Sequence, residues 1–319
     1  MKLKNNALCR SLVRITVLPV LLLASLQAKS PAQAQISLPR PDHIVIVMEE
    51  NRGFNQIFGT AAGGVAPYMN QLVKQGALLT NYYSLHHPSQ PNYIEIFSGG
   101  EHNVTGDCCV PQRLSAHSLG GSLLASKLTF TGYAEDLPSP LQCETNCPAV
   151  CPPTNTTCCF ARRHCPWTDF SDVPANLSVP FSQFPTDFTQ LPTVSFVIPN
   201  LNDDMHNGTI QQADTWLQTN LDSYIQWAKS HNSLFILTWD ENELEESEPA
   251  NTKPPQNQIG TLLVGAMVTP GSTSGTTYNP HDLLRTIEDM YRLPHIGHTP
   301  KARDIVGIWQ TPSTGGAQQ

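Results

Sequence analysis

The sequence predicts an α/β domain, a mostly parallel sheet with helices on both faces. Three observations predict it. Apolar runs of strand length recur, bounded by proline or polar turns, and several are continuously apolar, as in a sheet covered on both sides. Stretches with helical apolar spacing fall between them, so strand and helix alternate. Polar groups follow the apolar runs directly, at the strand ends where open α/β sheets place their sites.

Taken in order, "HIVIVMEE" (His43 to Glu50) is the first strand, bounded by Pro41. "APYMNQLVKQG" has helical spacing and stops on Gly76. "ALLTNYYS" is the second strand, followed by Ser89 and a helix through Phe97. "LTFTGYAED" is the third strand and "LPTVSFVIPN" (Leu191 to Asn200) the fourth. "ADTWLQTNLDSYIQWAKSH" is a long amphipathic helix leading into "SLFILTWDEN", the fifth strand. "QIGTLLVGAMV" is the sixth, and "HDLLRTIEDMYRL" the final helix. No internal repeat is visible.

The first 34 residues read differently. Lys2, Lys4, Arg10 and Arg14 precede "ITVLPVLLLASL", and "AQA" at Ala32 to Ala34 is a small-x-small cleavage pattern. This is a secretory signal peptide, with a retained membrane anchor as the alternative. The expectation is a secreted or periplasmic chain with no transmembrane segment after cleavage. Residues 35–310 then form a single domain, and 311–319 a flexible tail. Cleavage removes five basic residues and no acids, moving the formal charge from -8 to -13. So acidic a surface argues against nucleic-acid scaffolds and polybasic membrane binders as the function.

Eight cysteines remain after cleavage: Cys108, Cys109, Cys143, Cys147, Cys151, Cys158, Cys159 and Cys165. An even number in an exported chain reads as four disulfides, stapling a loop-dominated insert from about 108 to 180. The alternative is a zinc or iron–sulfur cluster, although the spacing matches no common metal template.

Glu49, Glu50 and Asn51 directly follow one buried strand, and Asp240 and Glu241 another. Two such acid pairs on one rim repel strongly unless neutralised. A divalent cation is the economical solution, and oxygen donors suit Mg, Ca, Mn or Zn. The alternative is that the acids cap the helices that follow. A cation held by Glu50, Asn51, Asp240 and Glu241 would bind Ser89 and make its hydroxyl a nucleophile. Ser89 also opens a helix, whose N-terminal amides suit a phosphate, and Pro91 fits that first turn. Without the carboxylates, Ser89 would read as an ordinary N-cap. Asn92 is placed to donate to a phosphoryl oxygen, and Asp204 joins the same rim.

These stretches carry a resemblance. "HIVIVMEENRGFNQIFG", "HPSQPNY", "RRHCPW", "PNLNDDMH", "TWDENE" and "YNPHDLLRTIEDMYRLP" resemble, in order from about 42 to 295, the motifs of the phosphoesterase family of secreted bacterial acid phosphatases and phospholipases C. The resemblance implies an alkaline-phosphatase-like core and a metal-dependent mechanism through a phosphoserine. It puts the nucleophile on Ser89, the metal ligands on Glu50, Asn51, Asp240 and Glu241, and further site groups on Asp204, His206 and His164. It is closer to the short acid phosphatases than to the longer phospholipases. This chain departs at "YNPHDLLRTIED", where His281 sits one position later than in relatives, and at Cys165, which ties His164 to the insert.

His206 and His164 are the candidates to contact phosphoryl oxygens or protonate a leaving group, with a charged imidazole favouring an acidic to neutral optimum. His281 and His87 are weaker candidates. The expected function is an exported phosphomonoesterase acting on phosphate esters. A phospholipase C and a non-catalytic envelope protein that binds metal or phosphate are the alternatives.

Overall fold

The computed structural model describes residues 38–59, 64–107, 110, 112–138, 160–243 and 257–310. The expected signal peptide, the tail after 310 and seven of the eight mature cysteines lie outside the described residues.

Eight strands form one sheet: β1 His43–Glu49, β2 Ala77–Tyr83, β3 Phe130–Ala134, β4 Ser178–Pro180, β5 Val194–Ile198, β6 Ser233–Trp239, β7 Gln258–Gly265 and β8 Ser272–Ser274. Their order is β4-β3-β5-β1-β6-β7-β2-β8. Every pairing is parallel except the two made by β7, which runs against β2 and β6. A continuously apolar run carries no signal for strand direction, which is why sequence alone left β7 unoriented. All six expected strands form; β4 and β8, three residues each, were too short to show a pattern.

The helices are α1 Phe54–Phe58, α2 Pro67–Val73, α3 Ser89–Ser98, α4 Leu119–Ala125, α5 Ile210–Ala228 and α6 Pro280–Tyr291. Strand pleat separates them into two layers. Phe97 of α3 packs edge-on against Phe196, which is in register with Ile46. Tyr224 of α5 hydrogen-bonds Ser233 Oγ, which is in register with His43. Residues 43 and 46 point to opposite faces, so α3 and α5 cover opposite sides of the sheet. Isoleucine, valine and phenylalanine of β1, β5 and β6 fill the core between them, most at 0% exposure.

The window from 108 to 180 differs from its expected loop character. It contains α4, capped by Ser118 Oγ accepting from Gly121 N, and β3, which pairs with β5 inside the sheet. The expected four-bridge framework falls on cysteines outside the described residues; Cys165, the one described, is buried with a free thiol. The segment is seated by Trp167, fully buried where the missing side chain of Gly132 leaves room on β3.

Candidate active site

Three adjacent parallel strands, β5, β1 and β6, deliver acids to one rim. At the end of β1 the pleat sends Glu49 toward the α5 face and Glu50 toward the α3 face. Glu50 N donates to Asp204 O at 2.7 Å and Asp240 N to Glu49 O at 3.1 Å, which lock the three strand ends together. Asn51 then turns the chain in the left-handed region, at φ 48, a conformation asparagine tolerates better than most residues. Its N–H donates to Asp240 Oδ1 at 3.0 Å. Met205 occupies the same region at φ 78, where a bulky residue is strained. That turn is held by His206 N donating to Asp204 Oδ1 at 2.8 Å.

Ser89 is the first residue of α3 and is buried. Its hydroxyl lies 3.1 Å from Glu50 Oε2 and 3.3 Å from Glu241 Oε1. His87 Nδ1 stands 2.6 Å from Glu241 Oε2, though not aligned as a hydrogen bond. On the other side of Glu50, His164 is fully buried, with Nε2 3.2 Å from Glu50 Oε1 and Nδ1 3.5 Å from Asp204 Oδ2. Neither ring nitrogen is aligned as a hydrogen bond. Tyr93, one turn after Ser89, stacks on the His164 ring at 4.9 Å and donates its hydroxyl to Glu50 Oε1.

Several of these groups fit a cation better than each other. Asn51 Oδ1, Asp204 Oδ2, Asp240 Oδ2 and Glu241 Oε2 are buried acceptors with no donor. Glu50, His164 and Asp204 present ligand atoms that all lie within 4.8 Å of one another. Burial, then Asp240 and Asp204, push the Glu50 carboxyl well above its usual range. Burial and Glu241 lift Asp240 to about 7. Burial also holds His164 far below its usual value, leaving the neutral imidazole a metal requires. Carboxylates pushed this hard toward protonation, beside donorless amide and carboxylate oxygens, are what a hard or borderline cation relieves.

The structure thus gathers Glu50, Asn51, Ser89, His87, His164, Asp204, Asp240 and Glu241. His206 stands nearby, its ring 6.1 Å from that of His164. Two expectations change. Asn92 is not open to a phosphoryl oxygen: its amide donates to His86 O at 2.9 Å and Pro88 O at 3.4 Å, and its carbonyl accepts from Ser84, Leu85 and His86. It clamps the loop that presents Ser89. His281 does not turn into the site but bonds Glu95 on α3 at 2.6 Å. His206 is also held below its usual pKa by burial, so a charged imidazole there is a low-pH species.

Sequence reasoning missed Tyr93, Arg163 and Asn257. Tyr93 was legible as the i+4 neighbour of Ser89 on one helix face. Asn257, which joins His86 O to Asn242 N at 2.8 and 2.7 Å, carries no local signal.

Comparison with known proteins speaks to the fold and to the family. The fold is shared with solved alkaline-phosphatase-like structures. A Vibrio parahaemolyticus member aligns with TM-score 0.55 at 13% identity, covering 84% of this chain and 71% of that one. A phosphonate monoester hydrolase from Silicibacter pomeroyi aligns with TM-score 0.53 at 11% identity, over 83% and 76%. The chain belongs to the phosphoesterase family, whose model matches residues 62–294, and is a hydrolase acting on phosphoric ester bonds. It is 40% identical over 308 residues to the phosphatidylinositol-3-phosphatase of Mycobacterium tuberculosis, covering 94% of each. It is 25% identical over 240 residues to the phosphate-repressible acid phosphatase of Penicillium chrysogenum, spanning 72% of this chain but 55% of that enzyme.

Proposed function

We propose that the chain is an exported, metal-dependent phosphomonoesterase that works through a phosphoserine at Ser89. The observation that carries this reading is the Ser89 hydroxyl at the N-terminus of a ten-residue helix, within hydrogen-bond reach of two buried carboxylates. Glu50, Asn51, Ser89, Asp240 and Glu241 are the residues that would hold a divalent cation, with His164 and Asp204 bordering it. Bound there, the ion would stabilise the serine oxygen as an alkoxide and offset phosphoryl charge.

The chain's own groups account for the rest. The Ser89 proton leaves along the hydrogen bond to Glu50 or Glu241 as its oxygen attacks phosphorus, and the bond from phosphorus to the leaving oxygen breaks. In the first turn of α3, Pro91 has no N–H and Gln90 N is taken by Asp107, which leaves the Ser89 amide at the positive end of the helix to meet a phosphoryl oxygen. His206, at the open side of the rim, donates a proton to the departing oxygen when it is charged, which its lowered pKa confines to acidic solution. Water then cleaves the phosphoserine in a second in-line displacement.

The Mycobacterium tuberculosis relative is named for removing a phosphate monoester from an inositol lipid, which supports the monoester reading. No helix among the described residues is long and apolar enough to cross a membrane. Export rests on the N-terminal leader pattern. Ser89→Ala is expected to abolish hydrolysis of p-nitrophenyl phosphate, and chelation to abolish it reversibly. Parent-level activity in the variant would remove the covalent step. Release of diacylglycerol from phosphatidylcholine at comparable rates would shift the assignment to a phospholipase C.

A further inference from the structure

Arg163 is a buried cation with poor company. Its side chain is 4% exposed, and among the described residues its carboxylate contact is Asp107 Oδ2 at 3.6 Å, a group itself one-third exposed. The guanidinium Nε has no aligned hydrogen-bond partner among the described residues. One terminal nitrogen reaches His206 Nε2 at 3.5 Å, the far limit of a hydrogen bond. A guanidinium out of water normally sits in a tight, forked pair with an anion. Among the described residues no carboxylate closes on Arg163 in that way.

Its place says which anion. Arg163 precedes His164, which touches Glu50, which accepts from Ser89. The other oxygen of Asp107 accepts from Gln90 N at 2.9 Å, in the first turn of the helix that Ser89 opens. One carboxylate therefore spans from the nucleophile's helix to the guanidinium. A phosphoryl group attacked by Ser89 would meet this helix start, one carboxylate away from Arg163 and on the side of His206.

We propose that Arg163 selects monoesters over diesters by binding the third non-bridging phosphoryl oxygen, with Asp107 as the residue that positions it. Diesters carry two such oxygens and one negative charge; the monoester dianion carries three and two. The Ser89 amide and the cation that the acid-lined centre would hold can take two oxygens from either ester. The extra oxygen, and most of the extra charge, belong to the monoester alone, and in a diester a second organic group occupies that position. This rests on the phosphomonoesterase reading above and names what enforces it.

The test is steady-state kinetics of the parent, Arg163→Ala, Arg163→Lys and Asp107→Asn on p-nitrophenyl phosphate and methyl p-nitrophenyl phosphate, with melting temperatures recorded. Arg163→Ala is expected to lower monoester kcat/KM about 100-fold, the usual loss for one preorganised donor. Diester hydrolysis should fall less than about threefold. Added guanidinium ion should restore part of the monoester rate and none of the diester rate. Asp107→Asn, which still accepts from Gln90 N, should raise monoester KM more than it lowers kcat. If Arg163→Ala does not fold, Arg163→Lys carries the comparison, since it keeps the charge and loses the fork. If diester turnover is too slow to follow, competitive inhibition by dimethyl phosphate against inorganic phosphate gives the same ratio. Equal losses on both esters, or an undiminished monoester rate, would overturn the proposal. A parent enzyme without monoesterase activity would instead overturn the reading beneath it.

Discussion

Glu95 offers a test of how the helix bearing Ser89 is held. It lies on α3, buried, with one oxygen 3.1 Å from His86 Nε2 and the other 2.6 Å from His281 Nε2. One carboxylate thereby joins the loop ahead of Ser89 to the start of α6. Burial alone would raise its pKa, but the hydrogen bonds from His281 and His86 outweigh burial and bring it down to about 2. The hydrogen bond to Glu95 raises His86, with burial opposing. The signs follow from linkage. A depressed carboxylate contributes fully above its ordinary pKa of about 4.3 and loses that contribution as pH falls through its folded value. A raised histidine contributes below about 6.5 and loses it as pH rises through its folded value. The clamp is therefore strongest between about pH 4.5 and 6.5. Each charge-assisted bond contributes about 1.5–3 kcal/mol, and screening reduces the share of His86, which lies nearer the surface. Glu95→Gln should then cost about 3 kcal/mol at pH 5.5 and about half that at pH 8.5. For a domain of this size that is a drop in Tm of about 6–12 °C at the lower pH, measured by circular dichroism, and clearly less at the higher. An equal drop at both values, or a larger one at pH 8.5, would refute the clamp.

Tyr93→Phe keeps the stack on His164 and removes the aligned donor that Glu50 Oε1 has among the described residues; kcat/KM should fall about tenfold, and parent-level kinetics would show that the phenol does not position Glu50. Glu50→Gln should cost at least about 100-fold in activity, whereas Glu49→Gln should stay within about threefold, since the pleat turns Glu49 toward α5; comparable losses from both would deny that only one glutamate serves the site. Gly132→Ala drives a methyl into the Trp167 indole and should cost about 1–3 kcal/mol, lowering Tm by several degrees, because the segment bearing Arg163 and His164 is seated on that ring. An unchanged Tm would mean that the segment is anchored elsewhere.

What could be read from the chain, and what could not, divides along the range of the forces involved. Glu50 and Asp240 were legible because each directly follows a buried apolar run, Asp204 because it lies in the polar stretch after another, and parallel strands put their carboxyl ends on one rim. The sheet bears this out: β1 stands between β5 and β6, so the three acids come from neighbouring strands. Strand direction was not legible for β7, nor was α4, whose Gly120–Gly121 pair reads as a turn although Ser118 caps it. Asn92 was misjudged for a different reason. It stands close to Ser89, as the sequence implies, but an amide in a tight loop is claimed by the backbone groups it must satisfy before any substrate arrives. Arg163 shows the converse. Nothing in "RRHCPW" says which of two adjacent arginines matters, and only the folded chain separates them: Arg162 closes on buried Asp169 at 2.8 Å, while Arg163 has, among the described residues, the looser Asp107. A pair of like residues resolves into one that is spent and one that is available. The same logic separates Glu49 from Glu50 one strand away. In each case composition supplies the chemistry twice, and a single turn of the backbone decides which copy the site receives.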